Sequence, residues 1–149
     1  MENQSSKNYQ DFYRLDKETR GIYYDLQKST GLSDGEFWCM MAVRFYECNY
    51  PHEICTSMCM SKQTIHSALK QLVKKEFITL VTQETNLRMK QIVFTEKGAL
   101  FLEEHLVPIA NVERAAWMRL TLEEQEELIR LTAKLNRHFR AETDNFLQK

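Results

Sequence analysis

The hydrophobic pattern changes period twice between Ser61 and Gly98. Apolar residues Ile65, Ala68, Leu69, Leu72 and Val73 recur at i, i+3, i+4, i+7 and i+8, which predicts an amphipathic α-helix with one buried face. The other face carries Lys62, Gln63, His66, Ser67, Lys70, Gln71 and Lys74, a set of donors without a carboxylate. Ser61 stands where an N-cap belongs, so the exposed helix start offers N–H groups to an anion. Downstream, Phe77 to Val81 and Met89 to Phe94 are rich in β-branched and apolar residues around the polar stretch Thr82 to Arg88, and predict a β-hairpin. Upstream, Pro51 suits a first helical position, and Ile54, Cys55 and Met58 form a short apolar stripe ending at Cys59 and Met60. A short helix, a tight turn, a second helix and a hairpin make a winged helix-turn-helix. Arg88 and Lys90 give the wing a cationic tip of a size that reaches into or along a minor groove.

The remainder reads as helix. A first helix from about Lys7 to Thr30 presents Tyr9, Phe12, Tyr13, Tyr23 and Leu26; Gly21 inside it weakens it by about 1 kcal/mol relative to Ala. Ser33 and Glu36 form a capping box that opens a helix through Phe37, Trp38, Met41 and Phe45. Gly98 to Leu120 reads as helix interrupted or kinked near Pro108. A second capping box, Thr121 with Glu124, opens a last helix with Leu128, Leu131, Leu135 and Phe139 on one stripe. The expected fold is mainly α with a small β-hairpin wing, a single domain over residues 1–149. Its winged lobe spans about 33–98, and flanking helices span about 5–30 and 99–145. The flanking helices are apolar enough to need a surface to bury against.

Charge sharpens this picture. The net charge of -1 argues against a generally basic nucleic-acid binder. By thirds, however, residues 1–49 hold 6 Lys+Arg against 8 Asp+Glu, residues 50–100 hold 7 against 4, and residues 101–149 hold 7 against 9. Positive charge is thus gathered in the winged segment, the footprint expected of a local DNA-contacting surface, although a solvated lysine face would give the same count. With 149 residues, 43% of them hydrophobic and 28% charged, the chain can build one compact core. No apolar stretch approaches the roughly 18 residues of a membrane span, and the N-terminus lacks a signal peptide's basic and apolar regions, so a cytoplasmic location is expected.

At this point the chain resembles the multiple-antibiotic-resistance regulator (MarR) family of bacterial winged-helix transcription factors over nearly its whole length. Ser61 to Leu72 match the recognition-helix pattern, Asn86 to Arg88 stand where the wing usually has Asp-Arg-Arg, Phe94 to Gly98 match a Leu-or-Phe-Thr-Glu-Lys-Gly motif, and Thr121 to Glu124 fit the start of the final helix. Asn86 departs from the wing Asp and leaves Arg88 without its usual carboxylate brace; Ser67 departs from a frequent Arg, and Cys59 from the turn Gly. If that turn needs φ > 0, Cys59 costs roughly 1–2 kcal/mol there.

The resemblance implies a homodimeric, sequence-specific double-stranded DNA-binding transcriptional regulator, with repression at a pseudo-palindromic operator as the expected mode. It places base readout on Lys62, Gln63, His66 and Ser67, phosphate contacts on Ser61, Thr64, Lys70 and Lys74, and the wing's contacts on Arg88 and Lys90. It places Phe12, Leu128, Leu131, Leu135 and Phe139 between subunits, and Tyr13, Tyr23, Trp38 and Met41 around a small-molecule effector pocket or, alternatively, in plain core. The departures keep a second reading open, a winged-helix module that binds a protein partner and has weak or lost DNA binding.

Other chemistries find less support. There is no G-x-S-x-G, Walker loop or H-E-x-x-H, and the 4 Gly residues are too few for a phosphate cradle, so no enzymatic activity is expected. Glu123, Glu124, Glu126 and Glu127 crowd a helix start, where they complement its dipole. Cys39, Cys48, Cys55 and Cys59 are expected to be reduced in a cytosolic protein; a zinc site with His52, Cys55 and Cys59 lacks paired C-x-x-C knuckles, so no metal or cofactor is expected. An oxidant-sensing thiol stays open, because reactivity depends on exposure and pKa. His52, His105 and His138 show no catalytic spacing and are expected on the surface.

Overall fold

The computed structural model describes residues 2–148. The chain runs α1 (Glu2–Lys28), α2 (Asp34–Phe45), α3 (Pro51–Met58), α4 (Lys62–Lys74), β1 (Ile78–Gln83), β2 (Asn86–Phe94), α5 (Glu96–Phe101), a π-helical turn (Leu102–Leu106), α6 (Val107–Trp117) and α7 (Leu122–Leu147). It divides into two compact units, Met1–Pro108 and Ile109–Lys149.

The first unit holds the winged helix-turn-helix. Its core is filled by Phe37, Met40 and Met41 of α2, Ile54 of α3, Ile65 and Leu72 of α4, Ile78 of β1 and Leu106, all nearly inaccessible. Ile65, Ala68, Leu69 and Leu72 are buried as their spacing predicts, but Val73 is 41% exposed. At about 100° per residue, Val73 sits roughly 90° from the middle of the stripe, at its edge. The capping box of α2 forms: Glu36 N donates to Ser33 Oγ at 3.3 Å and Ser33 N donates to the Glu36 carboxylate at 2.9 Å. Pro51 opens α3, and the Glu53 carboxylate accepts from Tyr50 N at 3.0 Å and Asn49 N at 2.7 Å, so the orphan donors before this short helix are satisfied.

Cys59 ends α3 in the left-handed region (φ 51, ψ 36), the conformation that lets the chain turn from α3 into α4. Glu76 does the same after α4, at φ 63. The hairpin is antiparallel, in register from Ile78 opposite Phe94 to Thr82 opposite Lys90, with an irregularity at Thr82/Gln83. Both strands extend further than the polar composition of Thr82 to Arg88 suggests, leaving Glu84 and Thr85 as the turn. Gln83 and Gln91 hydrogen-bond across the strands at 2.9 Å, which is how polar residues continue the ladder. Ile92 N donates to Asn49 O at 2.8 Å and fastens the wing to the loop before α3.

The Thr-Glu-Lys-Gly motif has a local physical cause. Thr95 caps α5: its Oγ1 accepts from Gly98 N at 3.0 Å and donates to Glu76 O at 2.6 Å, while Thr95 N donates to Phe77 O at 3.1 Å. A Cβ on Gly98 would overlap that same Phe77 carbonyl, so only glycine lets the helix start pass this close. The interruption expected near Pro108 takes the form of the π-helical turn, in which Val107 N bonds Leu102 O. Proline has no N–H for the carbonyl four residues back and its ring crowds it, so widening the preceding turn relieves the conflict.

In the second unit, Thr121 and Glu124 form the expected capping box of α7. Gln125 Nε2 donates to Trp117 O at 3.2 Å and Leu120 O at 3.1 Å, satisfying carbonyls at the end of α6. None of the described residues of α7 is buried. No helix among the described residues is long and apolar enough to cross a membrane.

Candidate nucleic-acid interface

Helix α4 stands as a ridge between two clefts. One, about 950 Å³, lies between α4, the start of α3 and the hairpin; Lys62, Gln63, His66 and Lys70 line it from α4, Arg88, Met89 and Lys90 from β2, and Tyr50, Pro51 and His52 from the start of α3. Its floor is aliphatic, from Ile65, Leu69, Val73 and Leu80. The other, about 400 Å³, lies between α4 and the start of α2, and is lined by Ser33, Gly35, Gln63, Thr64, Ser67, Ala68 and Gln71. Gln63 lines both, which puts it on the crest of the ridge.

The expected DNA-contacting residues therefore fall into two groups. Lys62, His66, Lys70, Arg88 and Lys90 gather in the wing-side cleft, and Thr64 and Ser67 in the α2-side cleft. Lys74 lines neither and lies exposed in the last turn of α4. Ser61 and Thr64 are occupied with each other: Ser61 Oγ accepts from Thr64 N at 3.1 Å and lies 2.8 Å from Thr64 Oγ1. Their hydroxyls serve the cap first. No carboxylate lines either cleft.

At the wing, Asn86 does part of the work of the missing Asp. Its Oδ1 accepts from Arg88 N at 3.1 Å, an Asx-type bond that braces the backbone rather than the guanidinium. Among the described residues the Arg88 side chain has no ion pair, and Leu87 beside it is 74% exposed.

Two contributors lay outside sequence reasoning. Tyr50, Pro51, His52, Leu80 and Met89 also line the wing-side cleft; the helix start at Pro51 was legible, but nothing in one dimension aims it at α4. The second is a buried tie. Glu36, 4% exposed, forms an ion pair with Lys75 at 2.6 Å, joining the start of α2 to the end of α4. Burial raises the Glu36 carboxyl, but the Lys75 ammonium and the Ser33 hydroxyl and amide more than offset this and hold it below the usual glutamate range. The capping-box spacing had singled out Glu36, whereas Lys75 carried no signal.

The four expected effector residues differ in their surroundings. Met41 is buried in the core, Tyr23 packs on Trp38 at 5.4 Å between ring centroids, and Tyr13 is exposed, stacked with Tyr9 at 6.2 Å. Neither cleft beside α4 includes any of the four. Among the cysteines, burial and the nearby Glu36 push the Cys39 thiol up to about 12, which makes it inert; Cys48 is buried, Cys55 half-buried and Cys59 exposed. The described residues contain no cluster of three or more His, Cys, Asp or Glu able to hold a metal ion.

No protein-family model matches the sequence, and no curated protein matches it in sequence search. Solved structures do match in fold. A MarR family transcription regulator aligns at a TM-score of 0.75 with 14% identity over 97% of each chain. MarR of Staphylococcus aureus, solved in complex with salicylate and kanamycin, aligns at 0.67 with 16% identity over 93% of each chain. A probable transcriptional regulator from Pseudomonas aeruginosa aligns at 0.60 with 24% identity, over 81% of this chain and 93% of its own. With α4 between its clefts and the hairpin beside it, the chain has the winged helix-turn-helix fold of the MarR-family transcription regulators.

Proposed function

We propose that the chain is a homodimeric transcriptional regulator that binds double-stranded DNA in a sequence-specific manner and acts as a repressor at a pseudo-palindromic operator. The observation that carries this reading is the cleft beside the exposed face of α4, where Lys62, His66 and Lys70 of α4 meet Arg88 and Lys90 of the hairpin with no carboxylate among the lining residues. Such a face meets phosphates at its edges and base edges along its ridge, where Gln63 stands. The fold it shares with MarR-family regulators supports the same reading. The apolar stripe of α7, with Leu128, Leu131, Leu135 and Phe139 all exposed, and Phe12 of α1 supply surfaces for an isologous dimer. Such a dimer would set two copies of α4 about 34 Å apart, one turn of B-DNA.

The test is the salt dependence of duplex binding. The logarithm of affinity should fall linearly with the logarithm of salt concentration, by about 0.9 per phosphate contact. Lys70→Ala and Lys74→Ala should weaken all sequences alike and flatten that slope, whereas Gln63→Ala should mainly relax sequence preference. Arg88→Ala should weaken binding with a stability change under about 0.5 kcal/mol, since its side chain has no ion pair among the described residues. Salt-independent binding, or none, would assign the winged helix to a protein partner.

A further inference from the structure

We infer that His52 and His66 couple the uptake of DNA in the wing-side cleft to the uptake of protons, so that the affinity of this protein for duplex is set by pH as well as by sequence. The inference rests on the DNA-binding function proposed above and adds His52, which sequence reasoning left as a bystander, to the contact surface.

Both imidazoles line the same cleft, His66 from α4 and His52 from the second position of α3. His52 stacks on Tyr50, which lines the same cleft, with ring centroids 5.8 Å apart and planes 24° from parallel. The other charged or titratable side chains lining the cleft are Lys62 and Lys70 of α4, Arg88 and Lys90 of the hairpin, and the Tyr50 phenol. Glu53, next to His52 on α3, does not line it, and its carboxylate accepts from Asn49 N and Tyr50 N. Among the described residues, histidine pairs with a carboxylate only at His105, 3.9 Å from Glu104. His52 and His66 therefore have no anionic partner until a ligand brings one.

A duplex laid against α4 brings phosphates. A protonated imidazole donates from both nitrogens and adds an ion pair that the neutral ring cannot make. Ordinary histidine changes charge near pH 6.5, whereas lysine and arginine stay charged across the whole range from about pH 5.5 to 8. Of the side-chain types that line the cleft, imidazole is the one whose charge ordinarily changes in that range. If phosphate favours the charged ring, the complex binds more protons than the free protein, and affinity must rise as pH falls.

The experiment is fluorescence anisotropy of the full chain with a labelled duplex at pH 6, 7 and 8 and constant ionic strength. A proton held ten times more tightly in the complex yields up to about tenfold tighter binding per histidine over this range. The salt slope should steepen at pH 6 by up to about 0.9 for each histidine that becomes a phosphate contact. His52→Gln and His66→Gln should each remove part of the pH dependence, and the double variant should abolish it. The exposed side chains make both substitutions compatible with folding, which circular dichroism checks. A control with His105→Gln and His138→Gln should keep the full effect. Wild-type affinity that does not change with pH, or a pH dependence that survives the His52→Gln/His66→Gln double variant, overturns the inference while leaving DNA binding intact. Loss of duplex binding at every pH removes the proposed function itself.

Discussion

Cys59 and Gly98 make opposite demands on the backbone, and each forecasts a mutant. Cys59 carries a side chain at φ 51, where L-residues lose roughly 1–2 kcal/mol. Cys59→Gly removes that strain but loosens the unfolded chain, so it should raise stability by a net of about 0.5–1 kcal/mol, read as a higher urea midpoint at unchanged slope. Gly98 is the reverse case. Its missing Cβ is what admits the Phe77 carbonyl, so Gly98→Ala should lower stability by about 1–3 kcal/mol in the same measurement. The positive φ at Cys59 was legible, because the residue stands where a turn glycine is usual, whereas Gly98 was visible only as part of a motif and the approach of the Phe77 carbonyl that requires it is recorded by no residue pattern. Val73 taught a related lesson: a stripe read at helical spacing has edges, and an edge residue can line a cleft instead of the core.

Among the elements, α4 and the start of α2 are held in relation by the Glu36–Lys75 ion pair. Because the Glu36 carboxyl is held below its ordinary range, its contribution is complete above about pH 4.3, the ordinary glutamate value, and is lost as pH falls through the depressed folded value. Glu36→Gln should lower stability at pH 7 by about 1–3 kcal/mol, the cost of losing a hydrogen-bonded charge, moderated because the Lys75 side chain is 39% exposed and stays hydrated. The gap between the melting curves of wild type and variant should close as the pH is taken below 4; a gap that stays constant would assign Glu36 to capping alone. The starts of α2, α3 and α7 were legible because the capping boxes at Ser33 and Thr121 and Pro51 at a first helical turn are local signals, whereas α1, which has none, begins at Glu2 and not near Lys7. The hairpin was placed correctly but drawn short, because the strand ends are built from Gln, Asn and Thr, whose pairing depends on the partner strand rather than on their own preference. The tie to Lys75 was invisible because it joins the start of α2 to the end of α4, with α3 between them.

At the scale of the whole molecule, the expected subunit interface becomes a specific test. Leu131 and Leu135 are 48% and 46% exposed and Phe139 71%, on a helix with none of its described residues buried. Leu135→Asp should convert a dimer in light scattering at micromolar concentration into monomer or unfolded chain, at a cost of at least the about 2–5 kcal/mol of losing a buried leucine. Operator binding should disappear with it although every residue of the α4 clefts is unchanged. A monomeric wild type, or a variant that still pairs and binds DNA, would remove α7 from the interface. The stripe itself was plain in the sequence, because helical spacing of apolar residues is a local signal.

If a second copy covers the exposed flank of α7, this protein's folding becomes a question of dose. None of the described residues of this 26-residue helix is buried, and a helix that depends on local hydrogen bonds and intrahelical pairs such as Glu127–Arg130 is marginal in water. If a second copy provides the cover, order in α7 follows mass action: a cell holding few molecules keeps some of them frayed, and a cell that makes more completes them. The amount of competent regulator would then rise more steeply than the amount of protein synthesised, a threshold written into the molecule before any effector is added.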